Sequence, residues 1–241
     1  MRSLPAGIRL VLFDAANTLL FIDYSFLARA ARQVGADVSP TALRRAEAHA
    51  RVETDLLLEV HQDSTDARRW RHYFQVMLTE SGVSAGQFEA LVPILKARHE
   101  KVGLWMHVRP WTKSALEMLR RAGYRMAVVS NADGRVESWL SKKSLSGYFD
   151  TILDSHVVGI EKPDPRIFEL ALARTGFRAS EAVHVGDLYS VDVLGARRAG
   201  ITPVLLDPTG AHPATDCLKI RALSELPGLL PARASAGSRV A

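Results

Sequence analysis

The sequence contains little cysteine and no long apolar segment. Its one cysteine, Cys217, cannot form an internal disulfide among these 241 residues, and this usage favours a reducing compartment. No apolar run approaches the ~18 residues that cross a bilayer, since Arg9 interrupts the first such run and Asp14 follows it directly. We therefore expect a cytoplasmic protein that neither spans a membrane nor carries an export signal.

The sequence also lacks blocks of like charge and clusters of metal-binding thiols and imidazoles. Its formal net charge is +5, but the arginines are scattered, which indicates a solvated basic surface and no nucleic-acid partner. A small anionic substrate is compatible with this charge, whereas the absence of cysteine and histidine clusters argues against zinc. The content of 47% hydrophobic and 24% charged residues is that of an ordinary globular protein, which excludes disorder, collagen and coiled coil for the whole chain.

Four short apolar segments are typical of strands in a parallel sheet. Each is continuous rather than alternating, as in strands that are buried on both faces. The segments are Leu10 to Phe13, Met126 to Val129, Ala182 to Val185 and Pro203 to Leu206. Three of them follow a helical pattern that ends in glycine, the residue that most readily closes a helix in the left-handed conformation. The repeated unit of helix, glycine and strand predicts an α/β fold with a doubly wound parallel sheet.

A helical insertion is predicted after the first strand. No comparable strand segment occurs before the second, whereas Ser39 before Pro40 indicates a helix start and Ser84 with Gln87 indicates a capping box. Apolar residues in this stretch recur at helical spacing. We therefore predict an α/β core at residues 1–20 and 108–231, a helical cap at 21–107, and a small, polar, disordered tail at 232–241.

Polar residues follow the predicted strands at their carboxyl ends, where open parallel sheets bind their ligands. They are Asp14, Ser130 with Asn131, Gly186 with Asp187, and Asp207. Any one of them alone is typical of a turn or a helix cap. Together they indicate a site, because neighbouring carboxylates repel one another and share a space only with a cation. Oxygen ligands such as Asp14 and Asp187 favour Mg²⁺.

Three positions suggest how such a site handles an anionic group. A carboxylate held at a strand end, such as Asp14, can act as a nucleophile and form a covalent intermediate. Ser130 and Asn131 precede a predicted helix, where they can hold an anion, with an N-cap role for Asn131 or Asp133 as the alternative. Lys162 precedes a proline that restricts its backbone and can neutralise phosphoryl charge, with a solvated surface lysine as the alternative.

Two residues near the third of these strands have roles that the sequence leaves open. Asp192 lies in the predicted first turn of the helix after Asp187. It is expected to complete the metal site by orienting its ligands or to stabilise the helix start. His184 lies inside the apolar strand and is interpreted as a core histidine.

The order of these residues resembles the four motifs of the haloacid dehalogenase-like (HAD) hydrolase superfamily over nearly the whole chain. The matching positions are Asp14 and Thr18 in motif one, Ser130 in motif two, Lys162 in motif three, and Gly186, Asp187 and Asp192 in motif four. The insertion after motif one resembles a C1 cap.

The resemblance implies a covalent aspartyl-phosphate or aspartyl-ester intermediate on Asp14. It implies that Thr18 and Ser130 hold the transferred group and that Lys162 stabilises its charge. It also implies that Asp187 and the backbone carbonyl of Ala16 help Asp14 to bind Mg²⁺.

One departure from the family pattern bears on activity. Phosphatases of the superfamily carry a second aspartate two residues after the nucleophile as general acid and base, and this sequence has Ala16 there. Losing such a group costs about 10² to 10⁴ in rate. The leading hypothesis is therefore a slow, Mg²⁺-dependent phosphohydrolase with a small phosphorylated substrate. Five residues of the insertion could replace the missing acid by their residue type alone: Asp23, Glu53, Asp55, His61 and His72. A surface or core role is the alternative for each of them.

Two other functions are compatible with Ala16. Dehalogenases of the superfamily also lack the second aspartate, but they are metal-independent and do not need the Gly186 and Asp187 pattern. Its phosphonate hydrolases carry alanine there, but they form a Schiff base with a lysine early in the cap, and the insertion has only Lys96 and Lys101 near its end. A binding or regulatory protein that has lost turnover is the remaining alternative.

Overall fold

The computed structural model describes residues 4–60, 66–214 and 216–231. The candidate acid His61 and the predicted tail at 232–241 lie outside the described residues. The chain divides into two compact units. The first comprises the described residues of Met1–Leu20, Val108–Pro208 and Ala214–Ala241, and the second comprises those of Phe21–His107 and Thr209–Pro213. The short segment Thr209–Pro213 therefore groups with the second unit, although it lies within the range 108–231.

The strands and helices alternate in the first unit, whereas helices dominate the second. In chain order, the strands are β1 (Leu10–Phe13), β2 (Phe21–Ile22), β3 (Trp105–His107), β4 (Arg125–Ser130), β5 (Ile152–Asp154), β6 (Ala182–Gly186), β7 (Thr202–Leu206) and β8 (Leu218–Ile220). The α-helices are α1 (Tyr24–Gln33), α2 (Pro40–Val60), α3 (Asp66–Glu80), α4 (Ala85–Lys101), α5 (Pro110–Arg121), α6 (Val136–Lys142), α7 (Ser155–Val158), α8 (Pro165–Thr175), α9 (Leu194–Arg198) and α10 (Leu226–Leu229). A π-helical turn at Tyr189–Val193 comes directly before α9.

A parallel sheet forms the centre of the first unit. Among the described residues it has six strands in the order β5-β4-β1-β6-β7-β8, and each pairs with its neighbours in parallel. All four residues of β1 are buried, as the continuous apolar segment predicts. The predicted α/β fold with a doubly wound parallel sheet is confirmed. β1 and β6 are central, so their carboxyl ends lie side by side.

Apolar residues of the strands and helices form the core of this unit. Leu10 and Leu12 pack with Ile167 and Phe168 of α8 in one buried cluster. α8 ends at Gly176, whose φ of 75° is left-handed and whose N–H donates to the carbonyl of Leu172, as the glycine pattern predicts. The helix therefore closes where the chain turns back toward the sheet.

The second unit is built from α1 to α4 around a separate apolar core that includes Leu27, Phe74 and Leu91. Ser84 and Gln87 form the predicted capping box at the start of α4. The sequence predicts only helices here, but β2 and β3 form an antiparallel pair. These strands have two and three residues, which is too short for a periodic sequence signal. Within the described residues, no helix has the length and apolar character required to cross a membrane.

Candidate active site

Asp14 lies at the carboxyl end of β1, in the middle of the sheet. Its backbone N–H donates to the carbonyl of Val185 in β6 at 2.9 Å. The residue is only 6% exposed. The predicted nucleophile therefore lies at the edge of the sheet where parallel α/β folds bind their ligands.

The chain forms a tight turn directly after β1. The N–H groups of Leu19 and Leu20 both donate to the carbonyl of Ala15 at 2.9 Å. Asn17 has a left-handed φ of 54°, which asparagine tolerates better than most side chains. Ala16 is half-buried in this turn, at the position where the resemblance implies an acid in phosphatases. Its methyl group has no proton to transfer.

Thr18 carries a buried hydroxyl group that no other described residue hydrogen-bonds. The residue is fully buried, and among the described residues its Oγ1 has no hydrogen-bond partner. Leaving a buried hydroxyl unpaired costs about 1–3 kcal/mol. Ser130, also buried, ends the neighbouring strand β4. Both predicted anion-binding hydroxyls therefore lie at the sheet edge that carries Asp14.

Lys162 reaches this edge from the turn before α8. Its ammonium Nζ lies 2.7 Å from Oδ1 of Asp14 and 2.7 Å from Oδ1 of Asp192. The side chain is only 1% exposed, so the alternative of a solvated surface lysine is wrong. A buried ammonium requires charged partners of this kind.

The three buried charges hold one another in defined protonation states. Burial raises the pKa of Asp14 to about 6, against the opposing effect of the Lys162 ammonium. Burial also opposes ionisation of Lys162, but the two carboxylates raise its pKa above the usual range. For Asp192, burial is outweighed by Lys162 and His184, which together lower its pKa. Lys162 is therefore held as a cation at the site, and Asp14 ionises at a higher pH than an exposed aspartate does.

Asp192 uses both of its carboxylate oxygens within the protein. Oδ1 accepts from Lys162 and lies 2.9 Å from Nε2 of His184, while Oδ2 accepts from the backbone N–H of Leu188 at 3.0 Å. Burial lowers the pKa of His184, so this imidazole is neutral and donates through Nε2. Asp192 therefore orients Lys162, and its expected role at a metal site stays a prediction. The sequence identifies His184 as a core residue but does not reveal this contact, because its partner is eight positions away.

Gly186 permits this arrangement because it has no side chain. A Cβ at this position would lie 2.6 Å from Cβ of Asp192 and closer still to its carboxyl group. Any larger residue would displace Asp192 and, through it, Lys162. The glycine of the Gly186-Asp187 pair is therefore a steric requirement of the site.

Two backbone amides at the start of α6 already donate to a carboxylate of the protein. The N–H of Gly134 donates to both carboxylate oxygens of Asp154 at 3.0 Å, and that of Val136 donates to Oδ2 at 3.2 Å. Asp154 ends β5, a three-residue strand that the apolar pattern does not reveal. Neither Asn131 nor Asp133 is the N-cap residue of α6, so that alternative is wrong.

Asn131 instead pairs with the backbone of Lys162. Its Nδ2 donates to the carbonyl of Lys162 at 2.8 Å, and its Oδ1 accepts from the N–H of the same residue at 2.8 Å. The structure therefore places Asn131 beside the other candidate residues, with its amide turned toward Lys162.

The donors available to a cation at this edge are oxygens. They belong to the carboxylates of Asp14 and Asp187, both buried, and to the backbone carbonyl of Ala16. The described residues contain no cluster of three or more histidine, cysteine, aspartate or glutamate side chains suited to a metal. One or two carboxylates with a backbone carbonyl nevertheless fit Mg²⁺, which keeps several waters and binds substrate oxygens. Asp207, the other strand-end carboxylate, lies 3.6 Å from Nζ of Lys219.

The candidate replacement acids that the structure describes all lie in the second unit. Asp23 caps α1 by accepting from the N–H of Phe26 at 2.9 Å. Asp55 is buried, with Oδ2 3.0 Å from Nε2 of His212. Glu53 lies 3.5 Å from a histidine on the same helix, and His72 is half-buried. Asp23 and Asp55 therefore have contacts that account for them without a catalytic role.

The sequence matches a model of a known protein family. The family is described as haloacid dehalogenase-like hydrolase, and the match covers residues 8–200. The chain belongs to the haloacid dehalogenase-like hydrolase family and is a hydrolase, as the four motifs predict.

Relatives and solved structures agree with this assignment. The human haloacid dehalogenase-like hydrolase domain-containing protein 3 is 31% identical, with 88% of this chain and 95% of the relative covered. A glyceraldehyde 3-phosphate phosphatase of Methanopyrus kandleri is 30% identical, with 82% and 83% covered. The structure of a HAD phosphatase from Thermococcus onnurineus matches with a TM-score of 0.61 and 28% identity, over 94% of this chain and 99% of that one. Structures described as dehalogenases match the fold as well.

Proposed function

We propose that this protein hydrolyses small phosphate esters in a Mg²⁺-dependent reaction with Asp14 as the nucleophile. The contact that carries the proposal is the 2.7 Å pair between Asp14 and the buried ammonium of Lys162 at the carboxyl edge of the sheet. A fixed cation beside a nucleophilic carboxylate suits attack on a group that carries negative charge. The phosphatases among its relatives support the same reaction class.

The proposed reaction has two displacements at phosphorus. A carboxylate oxygen of Asp14 forms a bond to phosphorus as the bond to the ester oxygen breaks, and the leaving alkoxide takes a proton from water. Water then attacks phosphorus, breaks the bond to Asp14, and releases inorganic phosphate and the free carboxylate. Lys162 stabilises the charge on the phosphoryl oxygens in both steps.

Two hydroxyl groups are proposed to hold the transferred phosphoryl group. The buried Oγ1 of Thr18 has no partner within the part of the chain that the structure describes, and a phosphoryl oxygen would satisfy it. Ser130 is buried at the end of the adjacent strand. Asp14, Asp187 and the carbonyl of Ala16 would hold Mg²⁺, which when bound supplies charge neutralisation for the phosphoryl oxygens.

Ala16 shapes the kinetics in this proposal. Without an acid two residues after the nucleophile, the leaving oxygen departs as an alkoxide and the attacking water has no general base at that position. The rate should therefore depend strongly on the pKa of the leaving alcohol. The aspartyl phosphate should also persist longer than in relatives that carry the second aspartate.

The expectations on domain roles and compartment belong to the same proposal. The helices within 21–107 would serve as the C1 cap that selects the substrate. The single cysteine supports a cytoplasmic location.

Asp14→Asn tests the assignment of the nucleophile. With Mg²⁺ and a panel of phosphate esters that includes p-nitrophenyl phosphate, we expect the variant to lose at least about 10³-fold in kcat/KM. Chelation of the metal should abolish wild-type activity. The matched control is Asp150→Asn, an exposed aspartate that pairs with Arg125 at the opposite end of β4 and should leave activity unchanged.

The same assay separates the alternatives. Unchanged phosphatase activity in Asp14→Asn would refute the nucleophile assignment. Release of halide from a haloacid in the presence of chelator would identify a dehalogenase, and the absence of turnover with every substrate would favour a binding protein.

A further inference from the structure

Asn131 and Lys162 form a two-point contact across 31 residues of sequence. The amide nitrogen of Asn131 donates to the carbonyl of Lys162, and its amide oxygen accepts from the N–H of the same residue, each at 2.8 Å. A side-chain amide here satisfies a backbone donor and a backbone acceptor together. The amide of Asn131 thus forms the pair of hydrogen bonds with Lys162 that the backbone of a neighbouring strand forms in a sheet.

The segment that receives this contact is outside the regular secondary structure. Lys162 lies in a turn between α7 and α8, closed by the N–H of Asp164 on the carbonyl of Glu161 at 3.0 Å. A turn residue lacks the ladder of hydrogen bonds that fixes a strand or a helix. The backbone at Lys162 is therefore held at its N–H and its carbonyl by a side chain from the end of β4.

Fixing this backbone determines where the ammonium can go. Lysine has a flexible four-carbon stem, and its ammonium must stay 2.7 Å from Asp14. At the other end of the side chain, the ammonium donates to Oδ1 of Asp192 at 2.7 Å. With the backbone end held by Asn131, the lysine is fixed at both ends, which preorganises its charge before substrate binds.

We propose that Asn131 is a positioning residue that acts on the reaction through Lys162. The expected effect on the reaction rests on the proposed function, whereas the contact between Asn131 and Lys162 does not. The positioning role differs from the expectation that Asn131 binds phosphate, because the amide oxygen, which cannot donate to phosphate, and one amide hydrogen already serve Lys162.

The first test needs no substrate. In the ¹⁵N spectrum of the wild-type protein, the buried ammonium of Lys162 should give a slowly exchanging signal. Asn131→Ala should accelerate exchange at this ammonium about tenfold, because the backbone that carries the side chain loses both hydrogen bonds to the amide. Gln75→Ala, which removes an exposed amide from α3, is the control and should not change it. An unchanged Lys162 signal in Asn131→Ala would overturn the inference.

The second test is a double-mutant cycle on phosphatase activity. Asn131→Ala should lower kcat about tenfold with KM changed less than twofold, and it should have no further effect in a Lys162→Met background. A direct phosphate contact instead predicts a raised KM and an effect that persists without Lys162. Either result would overturn the positioning role.

Two controls keep the outcomes separate. Thermal unfolding identifies a folding defect in Asn131→Ala or in the smaller polar change Asn131→Ser. If the alanine variant does not fold, the ¹⁵N spectrum of Asn131→Ser tests the same contact. If the wild-type protein shows no phosphatase activity but the ammonium signal responds as expected, the proposed function fails and the positioning contact stands.

Discussion

At the scale of single residues, the site depends on buried charges that neutralise one another. Asp14, Lys162 and Asp192 form a connected chain, and His184 completes it behind Asp192. Asp14, Ser130 and Asp187 could be identified from the sequence by position alone, because the fold class places strand ends at one edge. Thr18, Lys162 and Asp192 required the family resemblance as well. His184 and Asp154 could not be identified in either way, since their partners are brought to them by the fold.

Ala16 is the residue whose substitution tests the missing acid. Ala16→Asp should raise the rate with alkyl phosphates about tenfold or more, because a carboxylic acid two residues after Asp14 can protonate the leaving oxygen. The gain should be smaller with p-nitrophenyl phosphate, whose leaving group needs no proton. Steady-state kcat across esters of different leaving-group pKa measures this.

Ala16→Asn is the matched control, since it adds the same volume without an ionisable proton. Ala16→Asn should give no gain in rate. Equal gains from aspartate and asparagine would show that the volume of the side chain, and not its acidity, limits the rate.

At the scale of elements, a buried polar cluster joins α2 and α3 within the second unit. The hydroxyl of Tyr73 donates to Oε1 of Glu47 at 2.8 Å, and Arg51 donates to the same oxygen at 2.6 Å. Burial, followed by the negative charge of Glu47, raises the pKa of Tyr73 well above its ordinary value of 10.0. The folded state therefore holds this phenolic proton more tightly than the unfolded state does.

The raised pKa of Tyr73 gives a pH dependence of definite sign. The stabilisation is fully present below pH 10, the unfolded value, and is lost as the pH rises toward the higher folded value. Tyr73→Phe should lower the free energy of unfolding at pH 8 by about 1.5–3 kcal/mol, the typical value for a hydrogen bond to a charged group. The difference between the two proteins should shrink as the pH rises above 10.

Urea unfolding of both proteins at pH 8 and pH 11 measures the difference. Tyr148→Phe gives a comparison in the other unit: the pKa of Tyr148 is raised as well, but its half-buried hydroxyl donates to Glu117 at the longer distance of 3.2 Å, so its gap and its pH dependence should be smaller. A constant gap between wild type and Tyr73→Phe at both values of pH would contradict the account.

The length of each element decided what the sequence could predict. The continuous apolar segments of β1, β4, β6 and β7 are distinctive because both faces of a parallel sheet are buried. β5 and β8, with three residues each, and the β2–β3 pair carry too few positions for a pattern. Their pairing is set by tertiary contacts, which local sequence does not encode.

At the scale of the whole molecule, two separately packed units share one chain. The sheet unit contains every residue assigned to the proposed chemistry, from Asp14 to Asp192. The grouping of Thr209–Pro213 with the helical unit was not predictable, because no pattern in that segment distinguishes it from an ordinary loop. Its contact with the helices depends on His212 meeting Asp55, which are 157 positions apart.

Mass spectrometry of the protein, quenched in acid during turnover of p-nitrophenyl phosphate with Mg²⁺, detects the aspartyl phosphate itself. We expect a phosphoryl group on the peptide that contains Asp14, accumulated because Ala16 cannot assist its hydrolysis, and none in Asp14→Asn. Substrate turnover with Asp14 unmodified, or with the phosphoryl group on another residue, would contradict the assignment of Asp14 as the nucleophile.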